Sequence, residues 1–287
     1  MPTDIPLVLG GHSFISQLGN DPPASEKQQL AIVESCLNGG ITWFDTTYQP
    51  ERPALGNALR ALGRRDEATI LAWNFFTEFS PGQDVGGPEH YRPGHIDVIL
   101  EQLSTSYVDG LIVVPLDDPE ENQRQQELLV EWQGKGYVRF LGLWVEDRPL
   151  VATDREDNPF RFAVRPFNVN TAHAAPDIAA WKRSGWQTLA TSPFFRGWEL
   201  EELIAEASAH GYGDAQTLRP QLADLMLRFS LFESDVDRVI VAMRKVEWVQ
   251  RNLASVSRGP LTARERRFLR RLKTKRHRWW QRLRDRS

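Results

Sequence analysis

Eight short apolar runs, each separated from the next by a stretch long enough for a helix, restrict this chain to very few folds. The runs are PLVLGG (6–11), TWFDT (42–46), TILAW (69–73), GLIVV (110–114), RFLGLW (139–144), RFAV (161–164), QTLAT (187–191) and RVIVA (238–242). They are short and rich in β-branched and aromatic residues, the signature of strands. Between them lie SEKQQLAIVESCLNGG, ERPALGNALRALG, PGHIDVILEQLSTSY, EENQRQQELLVEWQGKG, DIAAWKRSG and TLRPQLADLMLRFSLF, which read as helices. Parallel strands need a long crossover, and a helix supplies it, so the alternation implies βαβ units. Eight such units close into a TIM (β/α)8 barrel. Gly39-Gly40 and Gly134-Lys135-Gly136 stand just before strands, where helix C-caps belong. A doubly wound dinucleotide-binding sheet would alternate in the same way. The first strand, however, runs into GGHSFISQLGND and not into G-x-G-x-x-G.

A barrel of this kind takes about 250 residues. The 287-residue chain therefore divides by expectation into a barrel over 1–260 and a basic amphipathic helix over 261–287. Ten Trp residues supply large apolar surfaces for the interior. No apolar run approaches the roughly 18 residues of a membrane span, and MPTDIPLVLGG lacks a basic n-region, so a cytoplasmic protein is expected. The single cysteine, Cys36, excludes an intrachain disulfide and reads as a small buried helix residue. No H-E-x-x-H or comparable His/carboxylate spacing is present, and no metal site is expected.

The net charge of −3 conceals an uneven distribution. Residues 261–287 hold twelve Lys or Arg and two acidic residues, a net of +10, which leaves −13 on the rest. Within that tail Leu269, Leu272, Trp279 and Leu283 recur at roughly helical spacing among arginines. A helix of this kind can pack on the acidic body of its own chain, on a second copy or on an acidic protein partner. Nucleic acid and anionic membrane are further partners for the same charge.

Longer motifs carry a resemblance. NGGITWFDTTYQPERPALGNAL joins a Gly-rich helix end, a buried strand, FDT, a Tyr and an acidic segment ending in LG-x-AL. ILEQLSTSYVDGLIVVPLDDPEE, WQGKGYVRFLGLWVED, LATSPFFRGW, RPQLADLMLRF and RVIVAMRKVEWVQRNLASV follow in order. Together these blocks resemble the aldo-keto reductases, over about residues 5–260.

The resemblance implies a TIM barrel that uses NADP(H) for hydride transfer. It also implies four catalytic groups: a Tyr general acid, a Lys and an Asp that tune it, and a His that orients the carbonyl. A neighbouring cation favours the phenolate and so brings the phenol into range for proton donation. Asp45 takes the aspartate's place and Tyr48 the tyrosine's, at a shorter spacing than the family's pattern has. Asn74 stands for the lysine and Val114 for the histidine. At the nicotinamide end Trp144-Val145 replaces a Ser-Asn pair, Arg165 a glutamine, and Thr191 a stacking aromatic. Asn168 and Ser192 still fit that pattern. At the adenosine end Arg244, Lys245 and Asn252 match phosphate- and adenine-side residues, whereas Ala242 replaces a loop Gly and Trp248 a polar residue. NADP(H) binding is accordingly expected to be weak or absent.

Each assignment has a structural alternative. Asp45 ends a barrel strand on the face where such sites form, and His12 in GGHSF reaches the same rim. Tyr48 equally caps a short loop, Asn74 satisfies backbone at a strand end, and Arg244 and Lys245 form a solvated pair. His12 as a hydrogen-bonded structural residue is also open, and His90 and Tyr91 read as surface loop residues. Trp73, Phe75, Phe76, Trp144, Phe194, Phe195 and Trp198 fall at strand exits or just beyond. They either line a mouth for a small apolar or planar ligand or fill the volume a cofactor would take. Three functions follow: a degenerate reductase homologue acting through ligand or partner binding, an NADP-dependent oxidoreductase with a rearranged Asp/Tyr site, or a non-redox enzyme using Asp45, Tyr48 and His12.

Overall fold

A computed structural model describes residues 4–16, 22–76, 87–116, 118–145 and 158–274. Its strands are β1 (Leu7–Leu9), β2 (Trp43–Thr46), β3 (Thr69–Trp73), β4 (Val108–Val113), β5 (Val138–Trp144), β6 (Phe160–Pro166), β7 (Gln187–Thr191) and β8 (Arg238–Val241). Every neighbouring pair is parallel, and β8 returns to β1, so the sheet closes into an eight-stranded barrel. The expected barrel is the fold observed. Each strand lies within two residues of the expected run, because apolar runs bounded by Gly and polar turns leave little freedom of register.

Helices α1 (Glu26–Asn38), α2 (Glu51–Leu62), α3 (His95–Leu103), α4 (Pro119–Gly134), α5 (Ala175–Arg183), α6 (Trp198–Ala209), α7 (Ala215–Phe232), α8 (Val246–Arg258) and α9 (Ala263–Thr274) surround it. Local chemistry sets several ends. Ser25 and Gln28 form a reciprocal capping box at α1. Asp118 accepts from the amides of Glu120 and Glu121 ahead of Pro119, so α4 begins with its orphan donors satisfied. Helix α6 lies in a segment that carries no expected helix, within the connection after β7. No helix among the described residues is long and apolar enough to cross a membrane.

Alternation along the strands divides the core in two. Val8, Leu71, Trp73, Ile112, Phe162, Val164, Leu189 and Ile240 point inward and pack together inside the barrel. Leu7, Leu9, Ile70, Ala72, Leu111, Val113, Ala163, Val239 and Val241 point outward against the helices. Cys36 is buried on α1, as expected, and burial pushes its thiol pKa up. Tyr91 corrects an expectation: it is a core residue and not a surface one. Its hydroxyl donates to the Ile112 carbonyl at 3.4 Å, and its ring meets Phe76 and Trp132 edge-on. Beside it, half-buried His90 shares a hydrogen bond with Gln125.

Helix α9 packs on the outside of this shell. Leu261, Leu269 and Leu272 are buried against α6 and α7. Thr262 and Glu265 cap the helix reciprocally, and the Glu265 carboxylate also receives the Arg228 guanidinium. That cation, helped by the amide and hydroxyl of Thr262, holds the Glu265 pKa at about 2. Trp279 and Leu283, expected on the same stripe, lie outside the described residues.

Gly56 shows where packing overrides propensity. A Cβ there would stand 2.7 Å from the Leu103 carbonyl and 2.8 Å from that of Gln102, so α2 and α3 touch backbone to backbone. Ala outranks Gly in a free helix by about 1 kcal/mol. Gly56→Ala is nonetheless expected to destabilise the fold by roughly 1–3 kcal/mol, because backbone cannot move aside. A urea midpoint that rises in this variant would show that the two helices separate without cost.

Candidate functional site

The exits of β1, β2 and β3 bring the candidate acid–base residues together. His12 rides on a 3-10 turn, Gly11–Ser13, directly after β1. The Ser13 hydroxyl fixes that turn, donating to the Gly10 carbonyl at 2.7 Å and accepting from the Met243 amide at 2.8 Å. Asp45, buried on β2, accepts from the Trp73 indole N–H at 2.5 Å and from the Thr47 hydroxyl at 3.1 Å. The Tyr48 ring lies 5.3 Å from that of His12 and 5.1 Å from that of Phe75.

Two residues that the sequence reading missed organise this group. Glu51, fully buried at the first position of α2, accepts from the amides of Thr47 and Tyr48 at 2.7 and 3.1 Å. Its other oxygen lies 3.1 Å from His12 Nδ1. Gly11 makes room for that carboxylate, since a Cβ there would fall 2.1 Å from Glu51 Oε2. Arg52, also fully buried, donates to the carbonyls of Trp73 and Phe75 at 2.7 and 2.8 Å and lies over the Phe76 ring. The available signal was position: both begin a helix immediately after a strand exit on the barrel face where sites form.

Burial, and next the Glu51 charge, raise the Asp45 pKa from 3.8 to about 7, against the opposing hydrogen bonds of Trp73 and Thr47 and the charge of His12. Asp45 therefore titrates near neutrality and is not a permanently charged anchor.

Asn74 follows β3 with its amide fully engaged. Its Nδ2 donates to the carbonyls of Glu89 and Val114 at 2.9 and 3.1 Å, and its Oδ1 accepts the Val114 amide at 2.9 Å. The side chain ties the exits of β3 and β4 to the returning chain at Glu89. Val114 itself packs against the barrel interior.

The candidate dinucleotide residues are spread around the remaining rim. Asn168 is fully buried. Its Nδ2 donates to the Ser192 carbonyl, and its Oδ1 accepts the amides of Asn170 and Thr171. Ser192 adopts a positive φ of 57°, and its carbonyl also takes the Phe195 amide. Arg244 donates to the carbonyls of Ile15 and Pro22 at 2.5 and 2.6 Å, Lys245 lies over the Trp248 ring, and Asn252 is half-buried on α8. Arg165 points outward from β6 to Asp177 and over Trp181 on α5, and the inward-facing neighbour is Val164. Trp144 turns inward and meets Trp73 edge-on at 5.6 Å, while Val145 is buried and donates its amide to Val164. Thr191 holds a buried hydroxyl without a hydrogen-bond partner among the described residues. Three of these residues are already engaged or turned away from the rim. Asn168 is committed to loop backbone, Arg165 faces away, and Arg244 grips the N-terminal segment. Among the described residues no group of three or more His, Cys, Asp or Glu is arranged to hold a metal ion.

The Asp45 shift generates a stability prediction. Below about pH 4 the carboxyl is protonated in both folded and unfolded chains. Between 3.8 and about 7 the unfolded chain loses its proton while the native one keeps it, so stability falls as pH rises through this window. Asp45→Asn keeps an acceptor for Trp73 and removes the titration. Its stability profile from pH 4 to 7 should be flatter, by roughly 1.4 kcal/mol per unit of displacement. Urea titrations at both ends of the window measure this, and parallel profiles would exclude the shift.

Neither a family model nor a curated protein matches the sequence. Solved structures do. A holo-form aldo-keto reductase from Bacillus halodurans superposes with a TM-score of 0.69 at 21% identity, over 93% of this chain and 91% of that one. A thermostable aldo-keto reductase bound to the inhibitor epalrestat gives 0.67 at 20% identity, covering 95% of each chain. The glycerol dehydrogenase of Gluconobacter oxydans gives 0.68 at 16%, over 94% of this chain and 91% of that one. The structural neighbours are thus aldo-keto reductases and a glycerol dehydrogenase matched along nearly their whole length, and this chain shares their barrel fold.

Proposed function

We propose that this chain is an aldo-keto-reductase-like barrel that performs no NADP-linked hydride transfer and works by holding a small planar or apolar ligand at its aromatic rim. The observation that carries this reading is the Trp73–Asp45 bond. The carboxylate that would steady a cation takes a neutral indole N–H instead. The neighbouring cation position is Asn74, which serves backbone. A neighbouring cation is what readies a phenol for proton donation, and Asn74 supplies none to Tyr48. This argues equally against a rearranged Asp/Tyr oxidoreductase. Trp73 and Trp144 occupy the barrel interior, whereas Phe195 and Trp198, 45% and 46% exposed and edge-to-face at 6.2 Å, offer planar surface beyond β7.

A second reading, non-redox acid–base chemistry through His12, Tyr48 and Asp45, is favoured by one observation. Glu51 lies within hydrogen-bond distance of His12 Nδ1, an arrangement that fixes an imidazole's tautomer. That reading predicts an ionisation of His12 that shifts when Glu51 becomes Gln.

Three outcomes test the main reading. With NADPH and simple aldehydes, nucleotide oxidation should not exceed the buffer rate, and a higher rate abolished by Tyr48→Phe would overturn the proposal. NADPH titration followed by Trp fluorescence should show weak or no saturation, with any affinity lowered further by Arg244→Ala and Lys245→Ala. Asn74→Lys combined with Val114→His should restore no activity, because Trp144, Val145 and Val164 leave the nicotinamide without polar partners. Turnover in that double variant would show that the rest of the site is intact.

A further inference from the structure

We propose that the edge formed by α9 and the α6–α7 turn is a docking surface for an anionic lipid membrane. Helix α9 has two faces. Leu269 and Leu272 are buried on α6 and α7, and Phe268, half-buried, meets the ring of Tyr212 edge-on at 5.2 Å. Arg264, Arg267 and Arg271 are exposed on the other side. The helix is held by different charges: Glu265 takes Arg228, which also donates to the carbonyls of Gly259 and Pro260, and Arg266 pairs with Glu233. The helix thus has anchoring pairs apart from Arg264, Arg267 and Arg271.

The chain beyond α9 extends the same chemistry. Residues 275–287 read KRHRWWQRLRDRS, with six Lys or Arg, one Asp and two adjacent Trp. Positive charge accompanied by Tyr and Trp is the composition of a membrane-surface element, because headgroups take the charge while amphipathic rings settle at their level. A nucleic-acid duplex would engage the charge and leave Tyr212, 48% exposed, in water. The acidic body adds orientation. With −13 on residues 1–260, an anionic surface repels most of the molecule and attracts this edge.

Co-sedimentation of the full chain with vesicles tests the assignment. Binding is expected to vesicles of 30% phosphatidylserine in phosphatidylcholine and not to phosphatidylcholine alone, and to weaken as salt is raised from about 0.1 M to about 0.5 M. Arg264→Glu, Arg267→Glu and Arg271→Glu together should weaken it at least tenfold with thermal unfolding unchanged. If that variant does not fold, the same three positions changed to Gln should show a smaller loss in the same direction. Removing residues 275–287 should also weaken binding, and vesicle-bound protein should show a blue-shifted Trp emission that Trp279→Phe with Trp280→Phe reduces. Equal sedimentation with both vesicle types, or unchanged binding by the charge variants, would overturn the proposal. So would tighter retention by duplex DNA than by vesicles, or a salt-sensitive dimer that forms in place of the lipid complex.

Discussion

Two opposite charges buried side by side at the start of α2 hold the rim of this barrel in shape. Removing a charge from water costs several kcal/mol unless hydrogen bonds replace the lost hydration. Glu51 finds them in the amides of Thr47 and Tyr48, where the chain turns from β2 into α2. Arg52 finds them in the carbonyls of Trp73 and Phe75, where β3 ends. Burial lowers the Arg52 pKa to about 10, which leaves it charged at neutrality. Each side chain thus takes up the backbone groups that a strand exit or helix start leaves over. The placement of His12, Tyr48 and Asp45 follows from that exchange.

The same economy of polar groups runs around the rest of the rim. Around this rim, side chains at the expected catalytic and nicotinamide positions serve the protein's own backbone: Asn74 joins β3 to β4, and Asn168 joins the loops after β6 and β7. Indole takes the remaining space, with Trp73 and Trp144 against each other above the inner cluster.

The barrel was legible because its signal is repeated eight times and each strand's inward and outward faces must both be apolar. Helix α6 was not, since the preceding aromatic and Gly-containing loop SPFFRGW masks where WELEELIAEASA begins. Tyr91 was misjudged from the Pro/Gly-rich composition around it, while its burial depends on Trp132 and Ile112, far along the chain. Arg165 stands at the glutamine's place by motif position, and strand alternation with Phe162 and Val164 turns it outward. Glu51 and Arg52 gave no compositional hint, because charged residues at helix starts are ordinarily solvated. The members of the His12–Tyr48–Asp45 group were legible one by one. Their common support was not.

Asn168 carries a consequence for motion. Its single carboxamide grips the Ser192 carbonyl on one side and the amides of Asn170 and Thr171 on the other, and the same Ser192 carbonyl receives the Phe195 amide. Two loops fastened by one side chain cannot open independently without exposing a buried polar group. They form one cooperative unit, and the amide hydrogens of Asn170, Thr171 and Phe195 would exchange with solvent through a shared opening event.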